Sequence, residues 1–131
     1  MPKPLRSPAY RSWIRTLACA FCGAWSSECA HTGPHGLAQK ASDFNAIPLC
    51  PVCHRLGRDA YHAGVRRFRR AFFGRHRSTV EDLIVRLLEC YRVLGYEVVP
   101  DEAILYAAER ALLAAEDVVE WESCQGSMTN S

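Results

Sequence analysis

The stretch 47-IPLCPVCHRLGRDAYH-62 packs two cysteines and two histidines into 16 residues. Four such side chains could fill one tetrahedral zinc site. Alternatively they could divide, the cysteines holding a scaffold and the histidines doing chemistry. Cys19-Ala-Phe-Cys22 decides the cysteines: it repeats the spacing of Cys50-Pro-Val-Cys53, 31 residues earlier. Each Cys-x-x-Cys knuckle can place two thiolates on one ion, with backbone N–H groups turned toward the sulfurs. Cys19, Cys22, Cys50 and Cys53 together complete a closed structural zinc site. No βαβ pattern surrounds either pair, as a thioredoxin-like redox motif would require. Cys29 lies outside both knuckles and is the one cysteine placed to replace a ligand. Cys90 falls within an amphipathic helix and reads as a core side chain, and Cys124 carries no assignment.

With the cysteines closed on one ion, His54 and His62 are left for a second site. His31 and His35, in the sequence CAHTGPHG, lie on the segment between the knuckles, so this module holds four of the five histidines. Such clustering beside a zinc scaffold points to a second metal site of catalytic type. The bland alternative makes His54 or His62 a helix cap and His35 a turn residue. The fifth histidine, His76, sits among arginines as part of a solvated basic patch.

Outward from the knuckles the chain is basic on one side and acidic beyond. Residues 1–77 carry 13 Lys and Arg against 3 Asp and Glu, whereas residues 78–131 carry 3 against 11. A basic half suggests an anionic partner, nucleic acid being the commonest, and the acidic half is expected to face away from it. Arg66, Arg67, Arg69, Arg70, Arg75 and Arg77 crowd a dozen positions after the metal module, and phosphate contact is their expected role. Lys40 is placed to meet phosphate as well, or is simply solvated. Seven cysteines without a secretory signal or an apolar span suit a reducing, cytoplasmic setting rather than a disulfide framework.

The elements follow from local signals. Ser7-Pro8 predicts a capped helix over about 8–17, and AIPLC a strand, with His54 opening a short helix after it. Residues 64–75 predict a basic helix. Ser78-x-x-Glu81 reads as a capping box opening a helix over about 79–94 that ends at Gly95, with Val80, Leu83, Ile84 and Leu87 facing the core. YEVV is a candidate extended piece, Asp101 caps a last helix over about 102–122, and residues 125–131 read as a disordered tail. The expected organisation is a basic module, 1–77, followed by a helical extension, 78–124. That extension is free to pack, to form a homodimer, to contact a protein partner or to shield the basic site.

The pattern CAFCG … AHTGPHG … KASDFNAIPLCPVCH … H resembles the zinc-supported HNH endonucleases of the ββα-metal superfamily, and within them proteins related to the recombinase-dependent nuclease Ref. The resemblance covers residues 17–64. It implies an α+β fold with a small ββα-metal core and DNA, single- or double-stranded, as substrate, with a recombinase filament as a possible partner. It also implies His31 on the first strand as general base, Asn45 as the orienting residue with Asp43 as rival or partner, and His54 as ligand of a catalytic divalent ion such as Mg²⁺ or Mn²⁺. Many members carry a second ligand directly before the base. Ala30 stands there, so His35, Asp43 or His62 is expected to supply it.

The chemistry is consistent with that pattern. An imidazole ordinarily titrates near pH ~6.5, suited to taking a proton from water at neutral pH. Asp43, or the carbonyl oxygen of Asn45, could fix the tautomer of His31. Two other classes account for part of the sequence. A non-catalytic zinc DNA-binding module uses the cysteines and arginines but not His31 and His54. A protein-interaction adaptor uses only the acidic helix.

Overall fold

The computed structural model describes residues 4–33 and 42–129, with side chains through residue 123. Ser7 caps α1 (Pro8–Arg15): its hydroxyl accepts the Tyr10 N–H at 3.0 Å, and Pro8 occupies a first-turn position whose missing N–H costs nothing. The same hydroxyl donates to Glu97, which also accepts from the Tyr91 hydroxyl at 2.8 Å. The cap thus ties the start of the chain to residues 90 positions away.

β1 (Glu28–His31) pairs antiparallel with β2 (Ala46–Leu49), Glu28 opposite Leu49 and His31 opposite Ala46. All four residues of β2 are buried. Pro48 is tolerated there because the Pro48 carbonyl points outward, accepting the Ala20 N–H at 2.8 Å and so binding the first knuckle to the sheet. A 3₁₀ turn (Asp43–Asn45) leads into β2, and a π-helical turn (Val52–Leu56) and a second 3₁₀ turn (Tyr61–Ala63) leave it. Then come α2 (Val65–His76), α3 (Val80–Leu94) and α4 (Asp101–Thr129). The fold is α+β, mostly helical, with one two-stranded antiparallel sheet among the described residues.

An aromatic spine joins module and helices. Tyr10, fully buried, meets Phe44 at 5.1 Å and the edge of Tyr91 at 4.8 Å. Phe21, inside the first knuckle, packs on Phe68 of α2 at 5.3 Å. Rings of this size contribute about 1.5–3 kcal/mol each on burial. Ala103, Ala107 and Ala114 are the buried face of α4, and their small side chains let it lie close on its neighbours, leaving Leu105, Leu112 and Val119 exposed at seven-residue spacing. Among the described residues no helix is long and apolar enough to cross a membrane.

Several local expectations need correction. The cap of α3 is Thr79, not Ser78: its hydroxyl accepts the Asp82 N–H at 3.0 Å, while Ser78 accepts from Arg86. Thr79→Ala should therefore destabilise the protein by about 1 kcal/mol and Ser78→Ala by much less, as thermal melting would show. Cys90 is exposed, because Leu88 and Tyr91 take the inward face of α3. YEVV, expected as an extended piece, joins no sheet among the described residues. Residues 125–129 continue α4 rather than forming a tail, and no proline interrupts them. Apart from these corrections, the acidic and basic helices meet: Asp117 pairs with Arg69 at 2.8 Å and Glu122 with Arg77 at 3.3 Å.

Candidate metal centres and their surroundings

The two knuckles converge. The sulfurs of Cys19, Cys22, Cys50 and Cys53 all lie within 4.8 Å of one another, and those of Cys22 and Cys50 are 3.7 Å apart. Sulfurs about 2.3 Å from a shared tetrahedral zinc are separated by roughly 3.8 Å, so the quartet fits that ion. Gly23, with φ +84°, lets the first knuckle turn back, its N–H donating to the Cys19 carbonyl at 2.9 Å. Burial alone would raise the Cys19 thiol, but N–H groups of Cys22, Cys50 and Phe21 more than offset it, bringing it down to about 7. Burial and the neighbouring thiols push Cys53 up. A divalent cation bound by the quartet would hold these sulfurs as thiolates. Cys29, on β1, is not part of the quartet.

The second knuckle also sets His54. The His54 N–H donates to the Cys50 carbonyl at 2.9 Å, so the turn that offers Cys50 and Cys53 to one ion presents the imidazole beside it. His54 Nδ1 lies 2.9 Å from Glu28 Oε1, and Glu28 in turn accepts both Nε and a terminal nitrogen of Arg55. Arg55 foremost, then His54, hold the Glu28 carboxyl down to about 2. A carboxylate on Nδ1 fixes the proton there and leaves the Nε2 lone pair facing out. That Nε2 is 3.0 Å from Nε2 of His62. Two imidazole nitrogens sharing one ion at about 2.0–2.1 Å sit roughly 3.0–3.4 Å apart, so this pair fits a common metal. Among the described residues no set of three ligand atoms other than the cysteine quartet gathers this way, so the pair supplies two positions. His35 and Lys40, named from the sequence, lie outside the described residues.

His31 belongs to a different constellation. Its Nε2 donates to Asp43 Oδ1 at 2.7 Å, leaving the Nδ1 lone pair available. Asp43 is fully buried and also accepts the Ser7 N–H at 2.7 Å and Arg6 at 3.1 Å, with Arg11 at 3.6 Å. Burial would raise this carboxyl, but the His31 hydrogen bond and these partners keep it below the ordinary carboxylate range. Strand alternation sends Glu28 and His31 to opposite faces of β1. The expected base and the expected metal ligand are thus held by two separate carboxylates, with the strand between them. Asn45 lies on the His62 side: its carbonyl accepts from Thr32 at 2.6 Å, and it lines the same cavity as His62.

The arginines sort by geometry. Arg69 turns inward, 2.7 Å from Glu81 and 2.8 Å from Asp117, and is withdrawn from the phosphate role expected of it. Arg75 lies over the Phe21 ring, and Arg67 reaches the Arg58 carbonyl. Arg66 and Arg70 are exposed. Sequence alone does not single out Glu28, Arg55, Arg6 and Arg11. Only Glu28 had a usable signal there: on the strand bearing His31, three residues earlier, it falls on the opposite face.

Residues 1–89 match a family described as "Protein of unknown function (DUF968)". No curated protein and no solved structure matches the chain.

Proposed function

The chain belongs to the DUF968 family, and we propose that it is a metal-dependent endonuclease of the HNH type, built on a ββα-metal core and hydrolysing phosphodiester bonds in DNA. One observation carries this reading: His54 Nε2 and His62 Nε2 face each other at 3.0 Å while Glu28 holds the other nitrogen of His54. A binding module without catalysis has no use for an imidazole pair oriented by a carboxylate. A divalent ion such as Mg²⁺ or Mn²⁺ on this pair would polarise the scissile phosphate and stabilise the departing oxygen.

The chain's own groups supply the rest. Glu28 keeps His54 in the tautomer that ligates. Asp43 accepts from His31 Nε2 and so sets the tautomer whose Nδ1 lone pair faces away from it; the base role requires water activated at the ion to reach that nitrogen around the edge of β1. Arg66 and Arg70, exposed on α2, hold backbone phosphates without regard to sequence. The cysteine quartet, with Zn²⁺, keeps the turn bearing His54 in place. Partners in this reading are DNA, a recombinase filament presenting it, and a second copy meeting the exposed stripe of α4.

Purified protein incubated with supercoiled and single-stranded DNA, with Mg²⁺, Mn²⁺ or neither, tests the activity. Cutting is expected only with added ion, and His54→Ala should remove both cutting and binding of that ion. Glu28→Gln should weaken Mn²⁺ binding by about 10–100-fold, read by titration calorimetry. No cutting by wild type, alone or on a recombinase filament, would leave a zinc-dependent DNA-binding module as the better description.

A further inference from the structure

Between the sheet and helices α2, α3 and α4 lies a cavity of about 870 Å³, with His62 and Asn45 on its wall. Arg69 is shared by Glu81 and Asp117, a trio with one net negative charge, and Glu81 Oε2 is buried without a hydrogen-bond partner among the described residues. Arg66, exposed, and Arg110, half-buried, also line the space. Val65, Ile84 and Leu113 supply apolar wall. A ligand matched to this lining has apolar surface, an edge with N–H donors for Glu81 and an anionic group for Arg66 or Arg110.

We propose that the cavity receives one unpaired nucleobase of the strand whose phosphate lies at His54 and His62, an inference that rests on the nuclease reading above. The volume is within the roughly 300–1,000 Å³ of sites that enclose small organic ligands. A base stacked and paired in a duplex cannot enter, so the substrate class is single-stranded or locally opened nucleic acid. Arg66 and Arg110 can lie on the base or meet its phosphate, and Asn45 offers an amide to its edge. His62 joins the two sites: it lines the cavity and faces His54.

The test is binding without added divalent ion, so that cutting does not enter. Fluorescence anisotropy on the full chain compares a short labelled oligothymidylate with a strand of equal length made of abasic residues. The base-bearing strand should bind on the order of tenfold more tightly. Filling the cavity with Ala107→Leu and Ala114→Leu should bring that ratio near one, while Val93→Ala, at an exposed position of α3 away from the cavity, should leave it unchanged. Should the double variant not fold, photocrosslinking wild type to a 4-thiothymidine strand locates the base, with crosslinks expected at residues 61–69 or 107–117. Equal affinities in wild type, a ratio that survives filling, or crosslinks confined to the exposed Trp25 would each overturn the proposal. A protein that cuts through His54 yet shows no base preference loses only this inference. One that shows the preference and never cuts loses the nuclease reading and keeps the cavity assignment.

Discussion

Cys50→Ser is expected to lose bound zinc and, with it, the ordered N-terminal module. Cys50 is 6% exposed and contributes at three levels. Its sulfur belongs to the quartet, its carbonyl holds the His54 N–H, and it directly follows β2, whose Pro48 carbonyl anchors the first knuckle. Structural zinc sites in isolated fingers contribute on the order of 10–16 kcal/mol. Losing half of that is comparable with the entire stability of a small domain, about 5–15 kcal/mol. Elemental analysis should find about one zinc per wild-type chain and much less in the variant. Circular dichroism should show an early or absent cooperative melt. A wild type that is zinc-free and well folded, or a Cys50→Ser chain melting as wild type does, would refute the scaffold assignment.

On the proposed nuclease reading, His31→Ala is expected to lower the rate of DNA cutting by about 10²–10⁴ while leaving zinc content, melting temperature and DNA affinity close to wild type. His31 makes one hydrogen bond to Asp43, which retains the Ser7 N–H and two arginines when the imidazole is removed. Added imidazole should restore part of the activity, a rescue that a merely structural role would not show. Asp43→Ala differs: removing a fully buried carboxylate leaves the buried Ser7 N–H without its acceptor, a loss of about 1–3 kcal/mol visible in the melt. If His31→Ala cuts normally, the imidazole is only a tether of Asp43 to the sheet. The proton acceptor must then be sought on the face that carries Glu28 and His62. If the variant instead loses binding of the added ion, His31 is a ligand.

The sequence by itself determined what depends on neighbours along the chain. The Ser7-Pro8 cap, the helix end at Gly95, the β2 segment and the paired knuckles were legible because capping, turn chemistry and ligand spacing are short-range. The four-cysteine cluster was the strongest of these, since two Cys-x-x-Cys units need only a fold that brings them together. Even here competition between adjacent candidates was invisible: Ser78 and Thr79 are equally good caps on paper, and packing of α3 chose the second.

Tertiary structure alone decided which charged groups meet. Arg69 reads as one more member of a basic run, yet Glu81 and Asp117, 12 and 48 residues away, take it out of the surface. Glu28 and His54 are 26 residues apart and Asp43 and Arg6 are 37 apart, and nothing local marks either pair. The reason is physical. A hydrogen bond or ion pair of this kind forms because hydrophobic packing has already placed two backbones within a few ångströms. The partner of a buried charge is therefore a property of the whole core and not of its sequence neighbourhood.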